Sequence, residues 1–386
     1  DTVGRLGGDE FVVLLEGIES ASEAVQIAGR MLRLIDRPYR LAGREFYTTA
    51  SIGISWPSER TTTPEELIRE ADLAMYRAKS HGGGRYRVFD PAMHRAAVSR
   101  LELESDLRQA LRRGEFLLLY QPIISMATGR TTGYEALIRW RHPRRGTLPP
   151  DAFIPLAEET GLIVPLGLWA VREAASQLRR WRDHAQVGGD VAMSINLSPR
   201  HFLEPDLVAQ VSGILDEEGV GADRVMIEVT ETALMQDPDA AVRKVTGLRD
   251  LGVRVCLDDF GTGYSSLGHL RRFALDTLKV DRSFVGRLDR SARDLALVES
   301  ITGLARTLGI HSIVEGVETA GQLARVRALQ PREVQGFLVA RPLPPDDAAA
   351  FGRTAVADLV PAPAVASTGL RAWVDALRSR ARRPRG

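Results

Sequence analysis

The sequence predicts an α/β protein whose larger part is a TIM-like (β/α)8 barrel, and three observations carry that expectation. Eight strand-like segments alternate with helical ones between residues 115 and 352, the rhythm of a β/α barrel. Polar residues recur at the ends of those segments, where a barrel would gather them at one mouth. No glycine-rich dinucleotide fingerprint follows the first strand, which weighs against the competing open, doubly wound sheet. A smaller, partial α/β unit precedes the barrel.

That unit occupies residues 1–90. "EFVVLLEGI" reads as a strand ended by Gly17, and "SASEAVQIAGRMLRLID" as a helix capped by Ser20 or Ser22. "FYTTASIGIS" alternates like a strand. "TPEELIREADLAMYRAKSHG" places Thr63 as a cap and Pro64 in the first turn of a second helix, which closes on glycines. Residues 91–114, with "RAAVSRLELESDLRQALRRG", read as a charged amphipathic helix connecting two domains.

The barrel is expected over 115–352. Its strand candidates are "FLLLYQPI", "TTGYEALIRW", "VAMSINLS", "VMIEVTE", "VRVCLDD", "DTLKVDR", "HSIVEGVE" and "EVQGFLV". Helical stretches such as "AVREAASQLRRW" and "DAAVRKVTGLRDLG" lie between them. From 353 to 386 the pattern stops. "VPAPAVASTG" has linker composition, and "LRAWVDALRSRARRPRG" ends in arginines, read as a solvated basic tail rather than a contact for an anionic partner.

Composition bounds the function. Hydrophobic residues make up 44% and charged residues 26%, ordinary for a globular chain. A net charge of +1 announces no nucleic-acid polymer as partner. The single cysteine, Cys256, rules out an intramolecular disulfide and fits a reducing compartment. The most apolar run, "GLIVPLGLWAV", is too short to span a bilayer. The domains seen are therefore expected in the cytoplasm. The chain opens on Asp1 without a signal peptide or an initiator Met, which leaves an upstream membrane or sensor segment open.

The expected strand ends carry Glu135, Asn196, Glu228, Asp258 with Asp259, Lys279, Glu315 and Gln335. From Asn196 onward they are spaced 32, 30, 21, 36 and 20 residues apart, one or two β/α segments each. Taken singly, an Asp after a strand is a cap or turn former and a Lys a salt-bridge partner. Taken in series, they are a set. Carboxylates at that density repel and take up protons unless cations neutralise them. Hard oxygen ligands suit Mg²⁺ or Mn²⁺, and zinc spacings are absent among the seven histidines and one cysteine. Two such ions about 4 Å apart suit hydrolysis of a phosphate ester. Arg139, in "RWRHPRRG", is placed to grip a phosphate, whereas Arg144 and Arg145 read as a solvated loop.

The same residues resemble the EAL family of cyclic di-GMP phosphodiesterases. Glu135-Ala136-Leu137 is the naming motif, and "YQPI", "INLSP", "IEVTET", "DDFGTGYSSL", "LKVDRSF", "VEGVET" and "QGFLVARPLP" follow the family pattern in order. The resemblance implies a barrel with one strand reversed, two Mg²⁺ or Mn²⁺ ions, and conversion of cyclic di-GMP to linear pGpG by two-metal activation of water. It implies Glu135, Asn196, Glu228, Asp258, Asp259 and Glu315 as metal ligands. Lys279, Glu315 and Glu135 would be catalytic. Arg139, Gln335 and Gln121 would contact substrate. Glu231 and Glu318 would organise a loop linked to a homodimer of the barrel domain. Val314 and Phe337 stand where the family usually has Ala and Tyr, and neither change removes a ligand.

The opening stretch resembles the GGDEF family of diguanylate cyclases through Gly7, Gly8, Asp9, Glu10 and Phe11, and then "SIGIS" and "ADLAMYRAKSHGGGRY". Only the second half of that pattern is present. Gly83 stands where the family carries a phosphate-contacting Arg, and the first half would supply a further metal ligand and the guanine grip. GTP binding is thus expected of an intact GGDEF domain only. This chain is expected not to be a cyclase, and its GGDEF part to be at most regulatory. The competing expectations are a barrel that binds cyclic di-GMP without cleaving it, and a signalling scaffold.

Overall fold

A computed structural model describes residues 1–353 apart from 19, 42, 58–62, 81, 189 and 262–271. The expected linker and basic tail beyond Arg353 lie outside the described residues. The chain divides into two compact units, Asp1–Asp106 and Leu107 onward, and the division falls within the helix Pro91–Ala110. That helix ends four residues short of the expected connection to 114. Among the described residues no helix is long and apolar enough to cross a membrane.

In the first unit the strands form three separate pairs. β1 (Thr2–Gly7) pairs antiparallel with β2 (Glu10–Leu14), β3 (Tyr39–Leu41) with β4 (Arg44–Phe46), and β5 (Ile52–Ile54) runs parallel to β6 (Tyr86–Val88). The expected strand over 46–55 is therefore corrected to a strand end at Phe46 and the short β5. Gly53 explains why β5 is pressed so close to a helix: a Cβ there would stand 1.8 Å from the Ala71 carbonyl oxygen of the helix Pro64–Ser80. That helix opens on a reciprocal cap, Thr63 Oγ1 accepting from the Glu66 amide and Glu66 Oε2 from the Thr63 amide. The helix Ala21–Ile35 starts after Ser20, whose side chain makes no capping bond to the helix backbone.

The second unit is the barrel. Its strands are β7 (Phe116–Ser125), β8 (Thr131–His142), β10 (Ala192–Leu197), β11 (Val225–Thr230), β12 (Arg254–Phe260), β13 (Thr277–Val280), β14 (His311–Val314) and β15 (Glu333–Val334). β9 (Gly146–Leu148) is a short addition that folds back on β8. Pairing of β10 with β8 closes the ring. All neighbours are parallel except β7, which runs antiparallel to both β8 and β15. The cause is local: the turn between Ser125 and Thr131 is too short for a crossover, so β7 and β8 must form a hairpin. β15 is only two residues long, shorter than the expected strand "EVQGFLV", because the chain turns at Gly336, where a Cβ would collide with the Val317 backbone.

Helices cover the outside. The longest, Ile163–Asp183, buries Leu166, Ala170, Ala174, Leu178 and Trp181 at helical spacing. Trp181 packs its ring against Tyr120 and Tyr134, with centroids 5.0 and 4.9 Å away. With packing on both faces, strands such as β10, β11 and β12 read as near-continuous apolar runs until their C-terminal ends, where polar residues begin.

Candidate active site

Side chains alternate along a strand, so residues two apart share a face. Ile123, Met226, Cys256 and Ile313 form a buried apolar cluster contributed by β7, β11, β12 and β14. Two residues toward the mouth on those same chains stand Gln121, Glu228, Asp258 and Glu315. One apolar layer thus floors one polar layer. Register supplies the rest: Gln121 lies opposite Glu135, Asn196 is level with Glu228, and Lys279 rises from β13.

The polar layer is a connected network. Glu135 accepts from Asn196 Nδ2 at 2.7 Å on one oxygen and from Gln335 Nε2 at 2.6 Å on the other. Gln335 Nε2 also donates to Gln121 Oε1 at 3.0 Å, and Gln121 is tied in turn to the Ala340 carbonyl. Lys279 is fully buried at the centre. Its Nζ donates to Glu228 at 2.7 Å, lies 3.3 Å from Glu135 and 4.0 Å from Asp258, and pairs closely with Glu315.

Charge decides how this set behaves. Burial works against a charged Lys279, but Asp258, Glu135, Glu228 and Glu315 outweigh it and hold the ammonium well above its ordinary value. Burial also works against Glu135. There the lysine and the bonds from Gln335 and Asn196 win, and the carboxyl is held below its usual value. Glu228 and Glu315 go the other way. Desolvation pushes Glu228 up to about 8 and Glu315 well above the carboxylate range, because one ammonium cannot neutralise four acids.

The remaining expected residues are placed as follows. Asp259 is half-buried and adopts φ 55°, a left-handed backbone rare outside glycine. Burial first, then Asp258 and Asp281, raises it to about 6. Asp281 went unnoticed in the sequence, although it follows Lys279 by two residues and so shares its face. Arg139 shares the face of Glu135 four residues further along β8, about 13 Å along the strand. It is half-buried and donates to the Ile138 carbonyl at 2.8 Å. Glu231 opens the helix Glu231–Gln236 and is buried, with Oε2 unpartnered among the described residues. The backbone N–H of Glu318 is held by Gln322 Oε1 at 2.7 Å. The loop these two were expected to organise falls largely within 262–271, outside the described residues.

The donor set fits divalent cations by charge. Four carboxylates face one ammonium, and Glu228 Oε1 and Gln335 Oε1 are sequestered without hydrogen-bond partners among the described residues. In this geometry the lysine holds the middle, and no three His, Cys, Asp or Glu side chains of the described residues surround a common ion position. The motif residues of the first unit are elsewhere. Gly7 to Glu10 form the tight turn of the β1–β2 hairpin, with Gly8 at φ 54°, and Asp9, Glu10 and Phe11 are exposed.

Comparison with known proteins is consistent with this geometry. The EAL domain profile matches residues 104–342, and that of the diguanylate cyclase GGDEF domain matches 1–85. The bifunctional diguanylate cyclase/cyclic di-GMP phosphodiesterase MucR of Pseudomonas aeruginosa is 41% identical over 344 residues, covering 89% of this chain and 50% of that protein. The cyclic di-GMP phosphodiesterase PdeR of Escherichia coli is 38% identical over 352 residues, covering 91% of this chain and 52% of its own. The chain thus spans about half the length of the curated relatives it matches. The solved PaMucR phosphodiesterase in complex with c-di-GMP superposes with a TM-score of 0.62 at 41% identity, covering 64% of this chain and 99% of that one.

Proposed function

This chain belongs to the EAL domain family, and on that premise we propose that its barrel is a metal-dependent phosphodiesterase that opens cyclic di-GMP to linear pGpG. The observation that carries the reading is the buried Lys279 ammonium ringed by Glu135, Glu228, Asp258 and Glu315 at the mouth of the barrel. Hydrolysis adds one water. A P–O bond forms to the water oxygen, one P–O3′ bond of the ring breaks, and the product carries a 5′-phosphate.

Glu135, Asn196, Glu228, Asp258, Asp259 and Glu315 are the residues that would hold two Mg²⁺ or Mn²⁺ ions. Such ions supply Lewis acidity and ease deprotonation of water. The chain's own groups do the rest. Asn196 and Gln335 fix the plane of the Glu135 carboxylate and keep it ionised, as a ligand must be. Lys279 Nζ is a fixed donor for charge gathering on the phosphoryl oxygens. Burial raises the Glu315 carboxyl well above its ordinary value, and with cations held beside it that carboxyl would be able to accept a proton. Gln121, by fixing Gln335, and Arg139, from higher on β8, orient the nucleotide. Glu231 and Glu318 would organise the loop beside the site and, through it, a homodimer contact of the barrel domain.

The GGDEF part is proposed to be inactive as a cyclase and to act, if at all, as a regulator. Asp9 and Glu10 stand exposed on a hairpin turn, and Gly83 replaces the expected phosphate-contacting Arg. The test is incubation of the purified chain with cyclic di-GMP and Mg²⁺ or Mn²⁺, with product separated by chromatography and Glu135→Ala alongside. Metal-dependent pGpG that falls about 10³-fold in the variant is expected. Tight binding without turnover would make the barrel a receptor instead.

A further inference from the structure

We propose that His201 is a positioning residue that locks the segment after β10, and that this lock holds only while its imidazole is neutral. The segment Ser198–Glu204 begins two residues beyond Asn196, whose amide fixes Glu135. The functional consequence rests on the phosphodiesterase reading; the lock itself does not.

The geometry is specific. His201 sits in the short helix Pro199–Phe202, capped by Ser198 Oγ, and is 0% exposed. Both ring nitrogens are buried without a hydrogen-bond partner among the described residues. The ring fills the space above Gly167 of the helix Ile163–Asp183, where a Cβ would stand 2.2 Å from Nδ1. So Gly167 exists to admit this ring, and the ring pins the segment against that helix. A buried polar group without a partner costs free energy, and a buried unpaired charge costs far more.

The charge acting on the ring is itself a cation, Lys244, while the helix Glu231–Gln236, also packed against the segment, brings the buried Glu231. From the helix Pro238–Asp250, Lys244 acts on the ring and donates to the Glu204 carbonyl at the far end of the segment. Asp237 and Arg243 act on Lys244 from its own side, as does Glu204. Within the segment, Arg200 is turned outward, donating to the Glu158 carbonyl at 2.7 Å. The helix Ile163–Asp183 meets the ring with Gly167, which brings no charge. Burial first and Lys244 second push His201 down to about 4. On its outer side the segment borders a cavity of about 500 Å³ lined by Glu158, Glu159, Pro199, Arg200, Leu203, Glu204 and Gln236.

Linkage sets the size of the effect. An undocked ring titrates at its ordinary value and a docked one at about 4. Acidification from pH 7.5 to 5.0 therefore favours undocking about 30-fold. The experiment is amide hydrogen exchange of the whole chain, read on the peptide covering 198–204, corrected for intrinsic rates and normalised to the strand Arg254–Phe260. In wild type, protection of 198–204 is expected to fall about 30-fold between pH 7.5 and 5.0. His201→Met removes the titration and is expected to abolish that pH dependence. Should it fail to fold, His201→Gln, neutral at both pH values, takes its place. Gly167→Ala displaces the ring and is expected to lower protection at both pH values.

Wild-type protection that does not change with pH, or the same fall in the neutral variants, would overturn the proposal. This readout needs no turnover, so a chain that hydrolyses nothing would sink the phosphodiesterase reading while leaving the lock to be judged by exchange. Where cyclic di-GMP is hydrolysed, the ratio of activity at pH 5.0 to that at pH 7.5 is expected to be higher in His201→Met than in wild type. A role confined to packing would leave that ratio unchanged.

Discussion

Asp9 and Glu10 stand in water on a hairpin turn, whereas Glu135 and Glu228 are buried inside the closed barrel. Both places carry acidic motifs legible as strings of letters. In the first unit the strands form isolated pairs, and Val3, Leu6, Phe11 and Leu14 of the hairpin remain exposed. In the barrel an apolar layer lies directly beneath the acids, and a single buried ammonium is shared among four of them. The lesson is that carboxylates acquire unusual protonation and ligand capacity from the layer beneath them and the cation between them, not from their spelling.

Removing the cation is the strongest way to break this contrast. Lys279→Met leaves three buried acids and the half-buried Glu315 without their common partner. Hydrolysis of cyclic di-GMP is expected to fall about 10³-fold or more, and denaturant unfolding to show a loss of about 3 kcal/mol. A variant that keeps wild-type turnover would remove the lysine from the site.

The next effect joins pH and metal. Glu228 is raised in the folded protein to about 8, above its unfolded value. Without ions, the folded state therefore holds an extra proton between the two values. That stabilisation is present at acid pH and is lost as pH rises through about 8. Between pH 6.5 and 8.5 the thermal midpoint in chelator is expected to fall by about 5 °C, and saturating Mg²⁺ or Mn²⁺ to remove the fall. A midpoint that ions do not shift at pH 8.5 would count against cation binding by Glu228.

Arg139→Ala sharpens the picture higher in the barrel. On the proposed role of a grip on the nucleotide, it is expected to raise KM about 10- to 100-fold with a smaller change in kcat. Smallest of all is the double change Asp9→Asn with Glu10→Gln. Both residues are exposed, so stability is expected to move by less than about 0.5 kcal/mol and hydrolysis to stay at the wild-type rate. A strong loss of hydrolysis there would show that the first unit controls the barrel.

Much of the architecture was legible. The eight strand segments, the helices between them and each polar strand end could be read from alternation and spacing, because side-chain period and burial are local properties. The length of β15 was not, since it is cut short by Gly336 meeting the Val317 backbone, a contact between distant segments. The sequence also concealed Asp281 and His201. Asp281 follows the strand of Lys279 as an ordinary helix cap, accepting from the Ser283 amide. His201 looked like one of several scattered histidines, and its burial depends on Gly167 of another helix.

By itself, then, the order of residues determined that this chain builds a β/α barrel and which residues stand at its mouth, while the reversal of one strand came with the family resemblance and not with the pattern of residues. Periodicity, turn length and residue chemistry act over a few residues and need no distant partner. Only the tertiary structure decided the charges. Ring closure between β8 and β10 brings Glu135, Glu228, Asp258 and Glu315 within 4 Å of one lysine. Protonation depends on distance and desolvation, and neither is a property of any stretch of sequence alone.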